Sequence, residues 1–182
     1  MSKEGVNYRL RKLIDNGIIT RFFADINLAK LGYTIYKIYL QFQNMTDDVE
    51  KEVYEYLLNH PSGIWVAGCN GRYDAIFTFK ARDIVEFENI KNDIINKFSR
   101  YILNKQTVIN IRYCLYNRKW LSRDFHIVTT NASGGLPEEK KLDCIDLKIL
   151  SILTQIARPP ILDIARETKI SSSQLIYRIR RL

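Results

Sequence analysis

The chain has 182 residues, of which 46% are hydrophobic, and a formal net charge of +8. That length suits one or two domains, each with a genuine hydrophobic core. No stretch approaches the roughly 20 apolar residues that span a bilayer, and the charged amino end does not resemble a secretion signal. We therefore expect a cytoplasmic protein without a membrane partner.

Few residues suggest catalysis or metal binding. Cys69, Cys114 and Cys144 are odd in number and far apart, with no Cys-x-x-Cys pair, which predicts reduced and mostly buried thiols. His60 and His126 have no second ligand at metal-binding spacing, which favours structural or surface roles. With neither a glycine-rich phosphate loop nor a nucleophile elbow, we predict no catalytic residue, cofactor or metal.

The first predicted element is a helix that has a copy at the other end of the chain. SKEGVNYRLRKL at residues 2–13 aligns with SSSQLIYRIRRL at 171–182, which makes an internal repeat. In each copy, apolar residues at i, i+4 and i+7 form one stripe. The stripes are Val6, Leu10 and Leu13 in the first copy and Leu175, Ile179 and Leu182 in the second.

The side opposite each stripe begins with short polar groups and continues with Tyr and cations. This order suits a helix that enters the DNA major groove amino end first. Residues 1–30 hold six Lys and Arg against three Asp and Glu, residues 31–117 ten against ten, and residues 118–182 twelve against seven. The basic excess at both ends favours contact with a polyanion, the alternatives being solvation of a surface helix and packing of the tyrosines on neighbouring helices. The predicted DNA-binding residues are Lys3, Asn7, Tyr8, Arg9, Arg11, Lys12, Ser172, Ser173, Gln174, Tyr177, Arg178, Arg180 and Arg181.

The next elements alternate between strands and helices. The first helix is expected to end at Asn16-Gly17, and IITRFFADIN at 18–27 is predicted to be a strand. Alternating apolar residues predict a second strand at 33–43, and residues 47–61 read as a helix with acids in its first turn. Two strands then flank a hairpin turn at 69–72. Asp83 caps a long helix, and a last strand is expected at 106–116.

This middle region is a β-α-β-β-α-β arrangement, which predicts the α+β class and a ferredoxin-like domain with both helices on one face of an antiparallel sheet. Tyr33, Ile35 and Tyr39 are apolar residues that the two helices are not expected to cover, which leaves one face of the sheet partly apolar. We expect a second copy of the protein to cover the open face, giving a homodimer or a higher homo-oligomer.

The composition becomes polar and rich in Gly, Ser and Pro between residues 122 and 141, which predicts a linker. Apolar residues from Ile145 to Ile156 then line one side of a helix, and Pro159-Pro160 starts a second, shorter helix. A tight turn leads to the repeat helix at the end of the chain. Three helices with this spacing predict a helix-turn-helix.

The sequence resembles a known family in two regions. Residues 142–182, with Leu-Asp-x-Ile-Asp-x-x-Ile-Leu at their start and Tyr-Arg-Ile-x-x-Leu at their end, look like the DNA-binding module of the Lrp/AsnC transcription regulators. GRYDAIFTFKARD resembles the hairpin and following strand of that family's effector domain. The resemblance implies four segments: the end of a first helix-turn-helix module with a linking strand (1–32), a ferredoxin-like effector and dimerisation domain (33–121), a linker (122–141) and a second helix-turn-helix module (142–182).

The family resemblance also implies binding partners, and this sequence departs from the family pattern at one turn. A DNA-binding transcriptional regulator would have double-stranded DNA as its partner, and the order of modules is that of a piece of a tandem, archaeal-type member. Lys169 stands where the family's turn usually places Gly. An amino acid or other small effector would bind at the hairpin through backbone N–H groups and the side chains of Arg72 or Asp74, the alternative being that Gly68 and Gly71 only shape the turn. The predicted effector-binding residues are Gly68, Asn70, Gly71, Arg72, Tyr73 and Asp74.

The sequence is also compatible with two other functions. Decarboxylases of haem biosynthesis that act on sirohaem-type tetrapyrroles are similar to the same family in fold, and would make the chain an enzyme. The second alternative is an effector-only subunit that assembles with true regulators and has no DNA affinity of its own. The basic ends and the second DNA-binding module favour the regulator.

Overall fold

The computed structural model describes residues 2–116, 129–138, 140–156 and 159–182. The chain forms two compact units. One combines the residues up to Ile26 with Lys141–Leu182, and the other is Asn27–Lys140. Within the described ranges, every helix is too short or too polar to cross a membrane.

Six helices and six strands make up the described part of the chain, besides a short 3-10 helix at Leu28–Lys30. The helices are α1 (Lys3–Asp15), α2 (Asp47–Leu58), α3 (Ile84–Lys97), α4 (Cys144–Gln155), α5 (Ile161–Thr168) and α6 (Ser172–Arg181). The strands are β1 (Thr34–Phe42), β2 (Gly63–Gly68), β3 (Ala75–Ala81), β4 (Ile102–Asn110), β5 (Arg112–Tyr116) and β6 (Thr129–Gly134).

The central unit contains an antiparallel sheet in the order β2-β3-β1-β4. With α2 and α3 in the connections, this is the predicted ferredoxin-like arrangement. Alternation along the strands puts Ile38 and Phe77 on one face of the sheet, where they are buried with Val53 of α2 and Ile94 of α3. The opposite, open face carries Lys37 and its register partners Thr78 and Val108.

Side-chain caps explain where the helices of this unit begin. Thr46 accepts a hydrogen bond from the backbone N–H of Val49 at the start of α2. The Asp83 carboxylate accepts from the N–H groups of Val85 and Glu86, each at 2.8 Å, at the start of α3. Both caps satisfy amides that the first turn of a helix leaves without partners, and the one at Asp83 confirms the prediction.

In the other unit, α4, α5 and α6 enclose a small core of Ile149, Ile164, Ala165 and Leu175. The turn between α5 and α6 passes through Lys169, whose φ of 58° lies in the left-handed region. Glycine adopts that conformation at lower cost than lysine does, so the predicted departure at this turn does place a lysine in a conformation that favours glycine.

Several predicted elements differ from the structure. Residues 18–27 form no strand. Phe22, Ala24 and Ile26 alternate as half-buried residues, yet no strand of the described part of the chain pairs with this segment, and the N–H of Ala24 donates to the carbonyl of Leu153 near the end of α4. The strand predicted at 106–116 is divided at Ile111 into β4 and β5, since β5 leaves the sheet to pair with β6. Strand β6 lies in the segment predicted as a linker, whose residues 122–128 are outside the described ranges.

The cysteines also differ from the prediction of mostly buried thiols. Cys69 is half-buried, whereas Cys114 and Cys144 are exposed. Cys144 is the first residue of α4, on a turn whose inward side is occupied by Asp146 instead. Cys114 belongs to the two-stranded sheet of β5 and β6.

Candidate nucleic-acid interface

Helix α6 is held by its cap and by its apolar stripe. The Ser171 hydroxyl accepts from the N–H of Gln174, whose side chain accepts from the N–H of Ser171, and this reciprocal pair fixes the start of the helix. Leu175 is fully buried, and Ile179 and Leu182 pack against the same core. The predicted stripe is therefore the side of α6 that faces α4 and α5.

The opposite side of α6 is open to solvent. Ser173, Gln174 and Arg180 are exposed, and Tyr177 keeps 68% of its surface accessible. Ser172, by contrast, is half-buried. A helix that is anchored on one side and exposes hydroxyl, amide and guanidinium groups on the other has the form of a DNA-reading helix.

Arg178 and Arg181 have partners within the protein. Nη1 of Arg178 lies 2.6 Å from a carboxylate oxygen of Asp143 and 2.7 Å from one of Asp146. Arg181 also donates to the carboxylate of Asp146. The Asp146 side chain is fully buried, so these ion pairs join α6 to the beginning of α4. We call Asp143, Asp146, Arg178 and Arg181 the acid–arginine cluster.

Electrostatics within this cluster stabilise its charged forms. The backbone N–H of Asp146 and then the Arg178 guanidinium lower the pKa of Asp143. The hydrogen bonds of Arg178 to Asp143 and Asp146 raise the pKa of that guanidinium. Two of the cations that were predicted to contact DNA are thus neutralised by carboxylates of the protein.

Helix α1 shares the serine cap of α6, without the reciprocal side-chain bond, but not its burial. The Ser2 hydroxyl accepts from the N–H of Gly5 at 3.2 Å, as Ser171 does for α6. None of its residues is buried, and Val6 and Leu13 of the stripe keep 47% and 38% of their surfaces exposed. All the predicted DNA-binding residues of this helix are exposed: Lys3, Asn7, Tyr8, Arg9, Arg11 and Lys12.

The turn before α6 is secured from α4. Nζ of Lys148 donates to the carbonyl of Glu167 at 2.6 Å, near the end of α5. The Thr168 hydroxyl donates to the carbonyl of Ile164 at 2.6 Å. The bond from Lys148 satisfies a carbonyl that the end of α5 leaves without a partner, and both bonds fix the path of the chain into α6.

The side chains of the predicted effector loop do not converge on one site. Gly68, Asn70, Gly71 and Arg72 are exposed. The Tyr73 hydroxyl donates to Gln106 at 2.7 Å, and its ring lies 5.4 Å from that of Tyr39, so it belongs to the open face of the sheet. Asp74 points elsewhere and accepts from the N–H of Phe42 at 2.7 Å.

Asp74 lines a cavity of about 270 Å³ where β1 ends and α2 begins. Asp74 is the one residue predicted to bind an effector that lines this cavity within the described part of the chain. Its remaining lining residues were not predicted from the sequence: Phe42, Gln43, Asn44, Met45 and Glu50. Asn44 at the strand end was the available signal, because asparagine favours turns, and its φ is 53°.

Tyr54 supports this corner of the molecule. Burial, reinforced by the charge of Glu50 and then by Cys69 and Asp74, raises the pKa of the Tyr54 phenol. The phenol therefore stays protonated at neutral pH and donates to the backbone carbonyl of Asp74 at 3.3 Å. A Cβ added at Gly68 would lie 3.0 Å from the same hydroxyl, so the glycine leaves room for it.

His60 has structural contacts. Its ring meets those of Tyr56 and Phe77 edge-on at 6.0 and 5.8 Å, and Nδ1 accepts from the N–H of Ser62. Burial lowers the pKa of His60. Among the described residues, no three His, Cys, Asp or Glu side chains are grouped as metal ligands would be. His126 lies outside the described residues.

Comparison with known proteins identifies the carboxy-terminal module. Residues 142–182 match the AsnC-type helix-turn-helix domain. The fold of the chain is similar to that of the Escherichia coli protein AsnC, with 19% identity, a TM-score of 0.52, and coverage of 64% of this chain and 77% of that one. No curated protein matches the chain significantly in sequence.

Two further solved structures share the fold. A transcriptional regulator from Neisseria meningitidis, solved with L-methionine, has 16% identity and a TM-score of 0.52 over 72% of this chain and 78% of its own. The sirohaem decarboxylase NirDL, solved with an iron-uroporphyrin III analogue, has 15% identity and a TM-score of 0.63 over 100% of this chain. This chain spans about half of the decarboxylase, 52% of its length.

Proposed function

We propose, starting from the AsnC-type helix-turn-helix domain at residues 142–182, that the chain acts as a DNA-binding transcriptional regulator. The observation that carries the proposal is the division of α6 into a buried apolar stripe and an exposed polar side. On that side, Ser173 and Tyr177 reach base edges in the major groove, and Arg180 meets a phosphate. Arg178 and Arg181 act indirectly, because they position α6 on α4.

Selection from a random duplex library tests this assignment. The chain is expected to enrich a defined sequence, and Tyr177→Ala is expected to reduce the preference for it. Thr154→Ala, on the exposed end of α4, is the matched control and should enrich the same sequence as the original chain. Absence of enrichment by the original chain, or an unreduced preference in the Tyr177 variant, would contradict the proposal.

The second element of the proposal is self-association through the open face of the sheet. Trp65 and Val108 keep 42% and 37% of their surfaces exposed there, and the ammonium of Lys37 lies 5.7 Å from the Trp65 ring. The Thr78 hydroxyl on this face is buried and has no hydrogen-bond partner among the described residues. A second copy would cover the apolar residues and remove them from water.

Light scattering after size exclusion measures this association. Val108→Glu places a charge on the open face and is expected to give monomers. Lys105→Glu is the control, since its register partner Leu40 puts it on the opposite face of β4, and it should keep the oligomer. A dimer that persists in the Val108 variant would exclude this face as the interface.

The third element is a small effector with an amino group, bound where β1 meets α2. Glu50 and Asp74 give the cavity two carboxylates, while Gln43 and Asn44 add amides. Such lining attracts an ammonium group and offers hydrogen bonds to a carboxylate, which is the chemistry of a free amino acid. A thermal-shift screen of the common amino acids should find one that stabilises the chain.

Glu50→Gln is expected to abolish the thermal shift, because it removes one of the two charges. Glu55→Gln changes an exposed glutamate on the same helix outside the cavity and should retain it. Equal shifts in both variants would place the effector elsewhere.

A decarboxylase acting on a sirohaem-type tetrapyrrole is the second candidate. It is favoured by the fold similarity to NirDL along the whole chain. The exposed polar side of α6 and the exposed cations of α1 favour the regulator instead. Mass spectrometry of sirohaem incubated with the chain is expected to show no loss of carboxyl groups, and a loss would support the enzyme.

A further inference from the structure

The chain passes twice between its two units, once between Ile26 and Asn27 and once between Lys140 and Lys141. The residues of the central unit that adjoin these two passages are hydrogen-bonded to one another. Asn27 bonds to Gly134, for example, across a separation of 107 residues in sequence. The two passages therefore leave the central unit side by side. We call residues 27–30, 134–138 and 140 the paired connections.

The side chain of Asn27 joins the two connections. Its Oδ1 accepts from the N–H of Gly134 and from the N–H of Ala29, each at 3.1 Å. Its Nδ2 donates to the carbonyl of Gly134 at 3.4 Å. The amide thus serves both backbone groups of Gly134, as a neighbouring strand would, and it also caps the short 3-10 helix.

Backbone hydrogen bonds continue the contact towards the second passage. The N–H of Glu138 donates to the carbonyl of Ala29 at 2.8 Å, and the N–H of Lys140 donates to that of Lys30 at 3.1 Å. Nζ of Lys30 also lies 2.5 Å from the Glu138 carboxylate, but both side chains are at least half exposed, so this ion pair contributes little. The connections are thus joined chiefly by the Asn27 amide and by backbone bonds.

Gly134 is fixed on its other side as well. Its φ is 101°, a conformation that favours glycine, and an added Cβ would lie 2.5 Å from the backbone oxygen of Ile111. The N–H of Gly135 donates to that same oxygen at 2.8 Å. Since Ile111 lies between β4 and β5, the second connection is anchored where the chain leaves the four-stranded sheet.

We propose that the Asn27 amide is a latch that makes the two passages one hinge. While the latch is closed, the paired connections move as a single body. When it opens, they separate together, and each passage becomes an independent link to the unit that carries the helix-turn-helix. Displacement of β6 opens the latch through Gly134, which is the last residue of that strand.

The latch acts inside the central unit, but its consequence is the mobility of the other unit. Two links that are joined side by side permit fewer rotations than two separate links do. An open latch therefore lets the helix-turn-helix unit reorient more freely, without unfolding of either unit. The inference depends on the hydrogen bonds of the paired connections, and it holds whether or not the chain binds DNA.

Hydrogen exchange of single amides in the full chain, followed by NMR, tests the latch. Asn27→Ala removes the side-chain amide and leaves the backbone of both connections in place. The N–H groups of Glu138 and Lys140 are the readout, because they bond to backbone carbonyls of the first connection and not to Asn27. Both should exchange at least about tenfold faster in the variant, since bonds that open together lose their protection together.

Two further variants separate the latch from the ion pair beside it. Gly134→Ala presses its Cβ against the Ile111 oxygen, which displaces β6, and should speed exchange of the two readout amides as Asn27→Ala does. Lys30→Gln removes only the exposed ion pair and should leave both rates within about twofold of the original.

Relaxation of backbone ¹⁵N nuclei measures the hinge itself. The ratio of the rotational correlation times of the two units should lie further from one in Asn27→Ala than in the original chain. Asn59→Ala is the matched control for both measurements, since the Asn59 side chain bonds to the Glu55 carbonyl at the end of α2, away from the connections. It should change neither the exchange of the readout amides nor the correlation times.

Several outcomes would overturn the proposal. Unchanged exchange of the readout amides in Asn27→Ala, or an equal rise in Lys30→Gln, would show that the Asn27 amide does not join the connections. An equal rise at Ile38, in the core of the sheet, in both Asn27→Ala and Gly134→Ala would show that the connections open only when the whole unit unfolds. Unchanged correlation times alongside faster exchange would show that the opened latch is not a hinge.

Discussion

Nη1 of Arg178 in α6 lies 2.7 Å from Oδ1 of Asp146 in α4, and the Asp146 side chain is completely buried. A buried carboxylate needs its cationic partners, since burial removes the water that would otherwise solvate the charge. The orientation of α6 on α4 therefore depends on this pair as well as on the apolar stripe.

Asp146→Asn should destabilise the helix-turn-helix unit by about 3 kcal/mol, because it leaves two guanidinium groups without their buried partner. Urea unfolding monitored on α4 to α6 measures the change. Asp163→Asn is the control: its ion pair with Arg166 is exposed, so a change below about 0.5 kcal/mol is expected. Similar values for the two variants would contradict the structural importance of Asp146.

Acid should weaken the same unit through Asp143. Its pKa is lowered in the folded state, first by the N–H of Asp146 and then by Arg178, so the folded chain binds a proton there less readily than the unfolded chain. The stabilisation is complete above the unfolded pKa of about 3.9 and is lost as the pH falls through the lower folded value. Asp143→Asn should flatten the dependence of stability on pH below about pH 4, and an unaltered acid profile would be the contrary result.

Lys169→Gly should stabilise the helix-turn-helix unit. Lys169 has a φ of 58°, a conformation that strains a residue with a Cβ, and relief of the strain should add about 0.5–1 kcal/mol. The midpoint of chemical denaturation reports the gain. Asn44→Gly, at a φ of 53°, provides the comparison and should gain less, because asparagine tolerates this region. A loss of stability in the Lys169 variant would contradict the prediction.

Part of this architecture was predictable from the sequence because its signals are local. The repeat at 2–13 and 171–182 identified both helices, and the stripe ending at Leu182 gave the buried side of α6. The order of strands and helices predicted the ferredoxin-like sheet, whose order of β2-β3-β1-β4 is the expected one. The cap at Asp83 was also correctly located.

Other features depend on tertiary contacts that spacing cannot specify. Arg178 is three residues after Leu175 and four before Leu182, so it lies beside the apolar stripe of α6. Helical periodicity does not specify which edge of that stripe faces a carboxylate. Residues 18–27 alternate like a strand, but a strand also requires a neighbour, and this segment meets α4 instead. The cavity at Asp74 joins residues from β1, α2 and the hairpin, which are distant in sequence.

The dependence of DNA affinity on salt distinguishes the exposed Arg180 from Arg178, which is paired within the protein. Each cation that contacts a phosphate contributes about one unit to the slope of log K against log salt, and the slope can be measured on duplex DNA of any sequence. Arg180→Ala should reduce the slope by about one unit, whereas Arg178→Ala should leave it unchanged, because that guanidinium is bound to Asp143 and Asp146. An unaltered slope for Arg180→Ala, or an equal reduction for both variants, would contradict the assignment of α6 as the helix that reads DNA with its exposed side.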